Sequence, residues 1–143
     1  MAGKAKRIDV HNHVCPATLI EALRANPQRF GMRVEGEGDA LRIARTTSKH
    51  VFHLVPELYD VEAKLKGLDE RGLEGAYLSP GPMYFYYDLP ADAGLEAARA
   101  INEGIAAMCA KAPDRLYGMG TFGNYIAANL IGTDVSGTLP IGN

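Results

Sequence analysis

Two runs of apolar residues at helical spacing, each leading into a short apolar strand, most constrain what this chain can fold into. The first places Leu58, Val61, Leu65 and Leu68 three, four and three residues apart. The second runs from Asp92 through Leu95, Ala98, Ile101, Ile105 and Met108. Such spacing puts an apolar stripe on one face of a helix. Pro56 precedes the first stripe, and Gly72 follows it as a C′ cap. Leu73 to Ser79 then reads as a strand, and LYGMGT, from Leu116, as another. Upstream, Arg7 to His13 is a β-forming run. Ala17 to Ala25 is a short helix with Pro16 at its first position and Pro27 beyond its end. Between these units, Met32 and Val34, then Leu41 and Ile43, flank the turn-rich EGEGD and predict a hairpin; Val51 to Val55 adds a third short strand. Strands separated by helices predict parallel βαβ units. The strands do not alternate cleanly, which suits a sheet covered on both faces.

The first strand carries the residues with the most chemistry. RIDVHNHVCP spends two of the chain's four histidines one residue apart. Residues two apart share a face of a strand, so Asp9, His11 and His13 are expected to point one way, and Ile8, Val10 and Asn12 the other. Acid and imidazoles on a buried face need partners or a metal. Two imidazoles at this spacing can share one ion, each at about 2.0–2.1 Å for zinc, with Asp9 orienting the site from behind. A polar strand end in solvent is the competing reading, and the pattern alone leaves both open. Cys15 has the same parity, but Pro16 ends the strand there, which argues against ligation.

Composition excludes several classes. At 143 residues the chain is of one-domain size. A net charge of −2 carries no nucleic-acid footprint. No apolar run approaches the ~20 residues of a membrane span, and Met1 to Arg7 has no apolar core of a signal peptide. Cys15 and Cys109 lie in no CxxC pair, so free thiols and a cytoplasmic setting are expected. Leu116 to Asn143 differs from the rest: Asp134 is its only charged residue. No amphipathic helix can be drawn through TFGNYIAANLIGTDVSGTLPIGN, which puts a seam near Thr121.

In order along the chain, IDVHNH, GMRVEGEGDALRIAR, LYDVEAKLKGLDERGLEGAYLSP, PMYFYYD and AARAINEGIAAMCAKAPDRLYGMGT resemble the amidohydrolase-related proteins of the aminocarboxymuconate-semialdehyde decarboxylase type. The resemblance runs from Ile8 to Thr121. It implies an α/β fold: the N-terminal part, residues 7–120, of a metal-dependent (β/α)8 TIM barrel, with a small β-hairpin insert at about 30–55 after strand 1. It implies a divalent metal ion, usually zinc, with His11 and His13 as its first two ligands. Arg45, in LRIAR, matches the insert arginine that holds a substrate carboxylate; a guanidinium offers a carboxylate a bidentate fork. A solvated residue at the end of the hairpin is the alternative. Tyr84, Phe85 and Tyr86 either line a pocket for a flat substrate or form a hydrophobic lid or an oligomer contact.

The implied activity is decarboxylation of an unsaturated or aromatic carboxylic acid, a small-molecule carboxylate substrate. The alternatives are metal-dependent hydrolysis of a lactone or amide, and a truncated, non-catalytic polypeptide. Such a barrel needs about 250 residues, so the chain is expected to be incomplete, inactive alone and prone to homo-oligomerisation or self-association. His50 and His53, in SKHVFHL, match no ligand of the family and read as loop or solvated residues. LIGTD resembles the strand-8 motif, which implies Asp134 as a further metal ligand reached after an internal deletion. An appended sequence over 121–143 explains that tail equally well.

Overall fold

The computed structural model describes residues 6–86 and 88–120. The chain opens with strand β1 (Ile8–Val14) and helix α1 (Ala17–Ala25). Strands β2 (Met32–Glu35), β3 (Arg42–Arg45) and β4 (Phe52–His53) follow. Then come α2 (Val61–Glu70), β5 (Gly75–Pro80), α3 (Ala91–Lys111) and β6 (Leu116–Gly118). Strands β1, β5 and β6 pair in that order, all parallel, as βαβ crossovers require. The second sheet is antiparallel, with Met32 opposite Arg45, Glu35 opposite Arg42, and Ile43 opposite Phe52.

Each helix forms where its apolar spacing and its ends agree. Pro16 precedes α1 as its cap rather than as its first helical residue. The α2 stripe begins one element early: Leu58 lies in a 3-10 turn, Pro56–Leu58, and the helix starts at Val61. Asp60 caps it, its side chain accepting the Ala63 N–H at 2.8 Å. Gly72, at φ +66°, takes the left-handed conformation just past the helix end.

The core lies between the parallel sheet and the helices. Val14, Leu19, Leu23, Leu68, Leu78, Ile101 and Leu116 are buried in one cluster. Each such side chain contributes on the order of 1.5–3 kcal/mol by leaving water. Among the described residues, the sheet is covered on one face rather than two. Ala76 and Leu78 face the helices, while Tyr77 is 40% exposed and stacks on Tyr117 with ring centroids 5.2 Å apart. Val10 on β1 is 71% exposed.

Helices α1 and α3 meet at Gly104. A Cβ there would collide with Pro16 and Thr18, and Thr18 Oγ1 donates to the Ala100 carbonyl at 2.5 Å. Gly104→Ala is expected to lower stability by about 1–3 kcal/mol, the usual range for overpacking. Urea unfolding measures it. A variant as stable as the parent would show that the two helices separate freely.

Candidate metal centre

Strand β1 brings His11 and His13 together. Their rings meet edge to face, with centroids 4.6 Å apart and planes at 74°. His13 Nδ1 lies 3.2 Å from Ser79 Oγ on the neighbouring strand β5. With the proton on Nδ1 donated to that hydroxyl, Nε2 keeps its lone pair for a ligand. Two imidazoles, one of them oriented from behind, fit a divalent ion as a donor set. Among the described residues no group of three His, Cys, Asp or Glu side chains is placed to hold a metal. Asp134 lies outside the described residues, and so does all of 121–143.

Asp9 is not where parity predicts. The β1–β5 register pairs Asp9 with Ala76 and Asn12 with Leu78, three residues against two, so a bulge separates them. The extra residue brings Asp9 to Asn12 instead of to the imidazoles. Asp9 Oδ2 accepts from Asn12 Nδ2 at 2.9 Å, and Oδ1 accepts the His11 backbone N–H at 2.9 Å. The Asn12 bond, then the His11 bond, holds the Asp9 carboxyl below its ordinary range. Asp9 therefore steadies the strand between the histidines and does not bond a ring.

Asn12 is buried and is held from its other side by Lys64 of α2. Lys64 Nζ donates to Asn12 Oδ1 at 2.5 Å and to the His13 carbonyl at 3.2 Å. Lys64 is 2% exposed. Burial pushes its pKa down to about 8, against an opposing pull from Glu57. Sequence reasoning missed this residue, although its signal was present. Lys64 follows Val61 by three and precedes Leu68 by four, so it sits on the buried stripe.

An apolar cavity of about 370 Å³ opens beside His13. Val14, Leu54, Leu58, Phe52, Met83 and Tyr84 line it, together with His53. His53, expected as a loop or solvated residue, is exposed and lies on β4 at the edge of this cavity. Tyr84 and Tyr86 are both buried, and burial raises both phenols. Tyr84 lines this cavity. The Tyr86 hydroxyl has no hydrogen-bond partner among the described residues. Cys15 is fully buried, and its thiol is pushed up to about 12 by burial, with a hydrogen bond to Tyr84 acting the other way. It is packed in the core as a buried thiol.

Arg45 stands apart from that cavity lining. Its Nη1 bonds Asp88 Oδ2 at 2.6 Å. The guanidinium already holds a carboxylate, supplied by the loop that follows the 3-10 turn Pro82–Tyr84. That bond, before any other influence, holds the Asp88 carboxyl below the ordinary 3.8. A depressed carboxylate pKa contributes stability above the unfolded value, and that contribution is lost as pH falls through the folded value. NMR titration of Asp88 should give a value below 3.8 that returns towards 3.8 in Arg45→Ala. An unchanged titration would show that the pair does not persist in solution.

Over 124 residues the chain is 29% identical to 2-amino-3-carboxymuconate-6-semialdehyde decarboxylase of Caenorhabditis elegans, covering 83% of this chain and 30% of that protein. The chain resembles the amidohydrolase-like decarboxylases. Two solved structures overlay it. Metarhizium anisopliae IDCase in apo form does so with a TM-score of 0.65 at 16% identity, over 96% of this chain and 38% of that one. The 5-carboxyvanillate decarboxylase of Novosphingobium aromaticivorans, complexed with manganese and 4-hydroxy-3-methoxy-5-nitrobenzoic acid, gives 0.56 at 20% identity, over 82% and 34%. At those identities the structural likeness concerns the fold. No family model matches the chain. The chain spans about a third of the length of these three proteins, since it covers 30%, 38% and 34% of them. Among the described residues, no helix is long and apolar enough to cross a membrane.

Proposed function

We propose that residues 7–120 are the N-terminal strands and helices of a metal-dependent decarboxylase of (β/α)8 type, acting on an unsaturated or aromatic carboxylic acid. The observation that carries the proposal is the histidine pair, with His13 oriented by Ser79 at the wall of an apolar cavity. In this reading β2–β4 are the insert after strand 1. Zinc is the expected ion, with manganese as competitor because a structural neighbour holds it. Asp134 is proposed as a further ligand.

Each group has a physical task. His11 and His13 would hold the ion through ring nitrogens. When bound, a divalent ion polarises a substrate oxygen as a Lewis acid. The cavity, lined by Leu54, Leu58, Met83 and Tyr84, would hold a flat apolar body and exclude water. Arg45 would orient a carboxylate once Asp88 gives way. In the reaction the bond from substrate carbon to carboxylate carbon breaks, CO2 leaves, and the electron pair left on the substrate carbon takes a proton.

The same cavity also suits a neutral lactone or amide, because Arg45 is already engaged by Asp88. Hydrolysis is therefore the second reading. Grafting residues 6–120 in place of the matching segment of the Caenorhabditis elegans decarboxylase separates the two. The zinc- or manganese-loaded chimera should release CO2 from its acid substrate, and the 143-residue chain alone should not. Hydrolysis of neutral esters by the chimera without CO2 release would move the assignment to a hydrolase. The open sheet face with Val10 and Tyr77, and the edges of β1 and β6 that no described strand pairs, should make the isolated chain self-associate at micromolar concentration. Sedimentation as a monomer would count against that.

A further inference from the structure

We propose that Lys64 is a positioning residue for the histidine pair, setting the backbone of His11 and His13 from the helix side of the sheet. The proposal rests on reading those histidines as metal ligands. The first argument is location. Lys64 is almost wholly buried in a helix face that is otherwise apolar, where a methionine or leucine would fill the space without a charge to desolvate. Its donors meet neutral acceptors, Asn12 Oδ1 and the His13 carbonyl. Among the described residues it makes no salt bridge; Glu57 and Asp9 attract it only from longer range, so no direct ion pair explains its burial.

The second argument is connectivity. The Asn12 amide is gripped at both ends: its oxygen takes the Lys64 ammonium and its nitrogen gives to Asp9. The donor and the acceptor together leave only one orientation for that amide. Asp9 in turn accepts the His11 N–H. One ammonium thus reaches the backbone of both histidines, directly at His13 and through Asn12 and Asp9 at His11. The bulge lies within this stretch, between Asp9 and Asn12. A bulge re-aims the side chains beside it, and a bulge without these bonds would let the two rings drift apart. Outer partners of metal ligands typically carry 10–100-fold in metal affinity.

The alternative is that the network only ties α2 to β1. Zinc calorimetry on the full chain, paired with urea unfolding of the metal-free protein, distinguishes the two. Lys64→Met should weaken Zn²⁺ binding by about tenfold while the unfolding midpoint is kept or raised. Lys64→Arg, which keeps donors at the site, should recover part of the affinity. Asn12→Ala should weaken binding in the same way from the strand side. A folded Lys64→Met and a folded Asn12→Ala that bind Zn²⁺ like the parent would overturn the proposal while leaving the metal pair intact. Failure of both variants to fold would also overturn it, by showing that the network serves the fold. A parent chain that takes up no more Zn²⁺ than His13→Ala would remove the metal reading itself, and this proposal with it.

Discussion

A His11→Ala, His13→Ala double variant is expected to lose all measurable stoichiometric binding of a divalent ion, the largest change any substitution here should produce. Structural zinc sites with four protein ligands bind with about 10–16 kcal/mol, or roughly 3 kcal/mol per ligand. At 1.4 kcal/mol for each tenfold, one lost imidazole is worth about a hundredfold and two about ten-thousandfold. The starting affinity should be modest, because the described residues supply two ligands to an ion that prefers three or four. His11→Ala alone should therefore already remove most of the metal. Elemental analysis of the purified protein, with calorimetry on the refolded metal-free chain, reads both steps. Zinc or manganese content unaltered in the double variant would end the assignment of β1 as a metal strand.

Loss of Arg45 should have the second largest effect, and it separates acid from neutral substrates. A carboxylate that leaves as CO2 must first be oriented, and a charge-assisted bidentate contact does that. Hydrogen bonds to charged groups are worth about 1.5–3 kcal/mol. At 1.36 kcal/mol per tenfold, Arg45→Ala in the decarboxylase chimera should lower kcat/KM for the acid by about ten- to two-hundred-fold. Lysine should restore only part, since an ammonium lacks the planar fork. Asp88 refines the prediction. It occupies Arg45 at 2.6 Å, so the substrate must displace it. Asp88→Asn should then lower KM for the acid while leaving a neutral ester unaffected. Equal losses on acid and ester in Arg45→Ala would point to a structural arginine and favour hydrolysis.

Much of the fold is legible along the chain because helical and strand periodicity are local. The stripes through Leu58 to Leu68 and Leu95 to Met108, the hairpin around EGEGD and the apolar run after Gly72 each declare themselves within a single short segment. They correspond to α2, α3, β2–β3 and β5. The decarboxylase likeness was legible from the order of those segments, and comparison with known proteins supports it. Errors came where one strand depends on another. Parity along β1 put Asp9 with the histidines, and pairing with β5 inserts a bulge that parity cannot see. Tyr77 and Val10 are exposed because the described helices cover a single face of the parallel sheet, which a strand's own residues do not reveal.

The sequence by itself determined the βα order, the antiparallel strands between α1 and α2, and the presence of two imidazoles on one strand end. Those follow from side-chain periodicity and turn chemistry, which act over a few residues. Only the tertiary structure decided what each site residue touches. Ser79 reaches His13 across 66 positions, Lys64 reaches Asn12 across 52, and Asp88 reaches Arg45 across 43. Contacts of that span exist only once strands have paired and helices have docked, because register and burial are properties of the assembled sheet. The same holds for Lys64. Its spacing places it on the buried stripe, but only the packed interior shows that Asn12 and the His13 carbonyl are there to receive its charge.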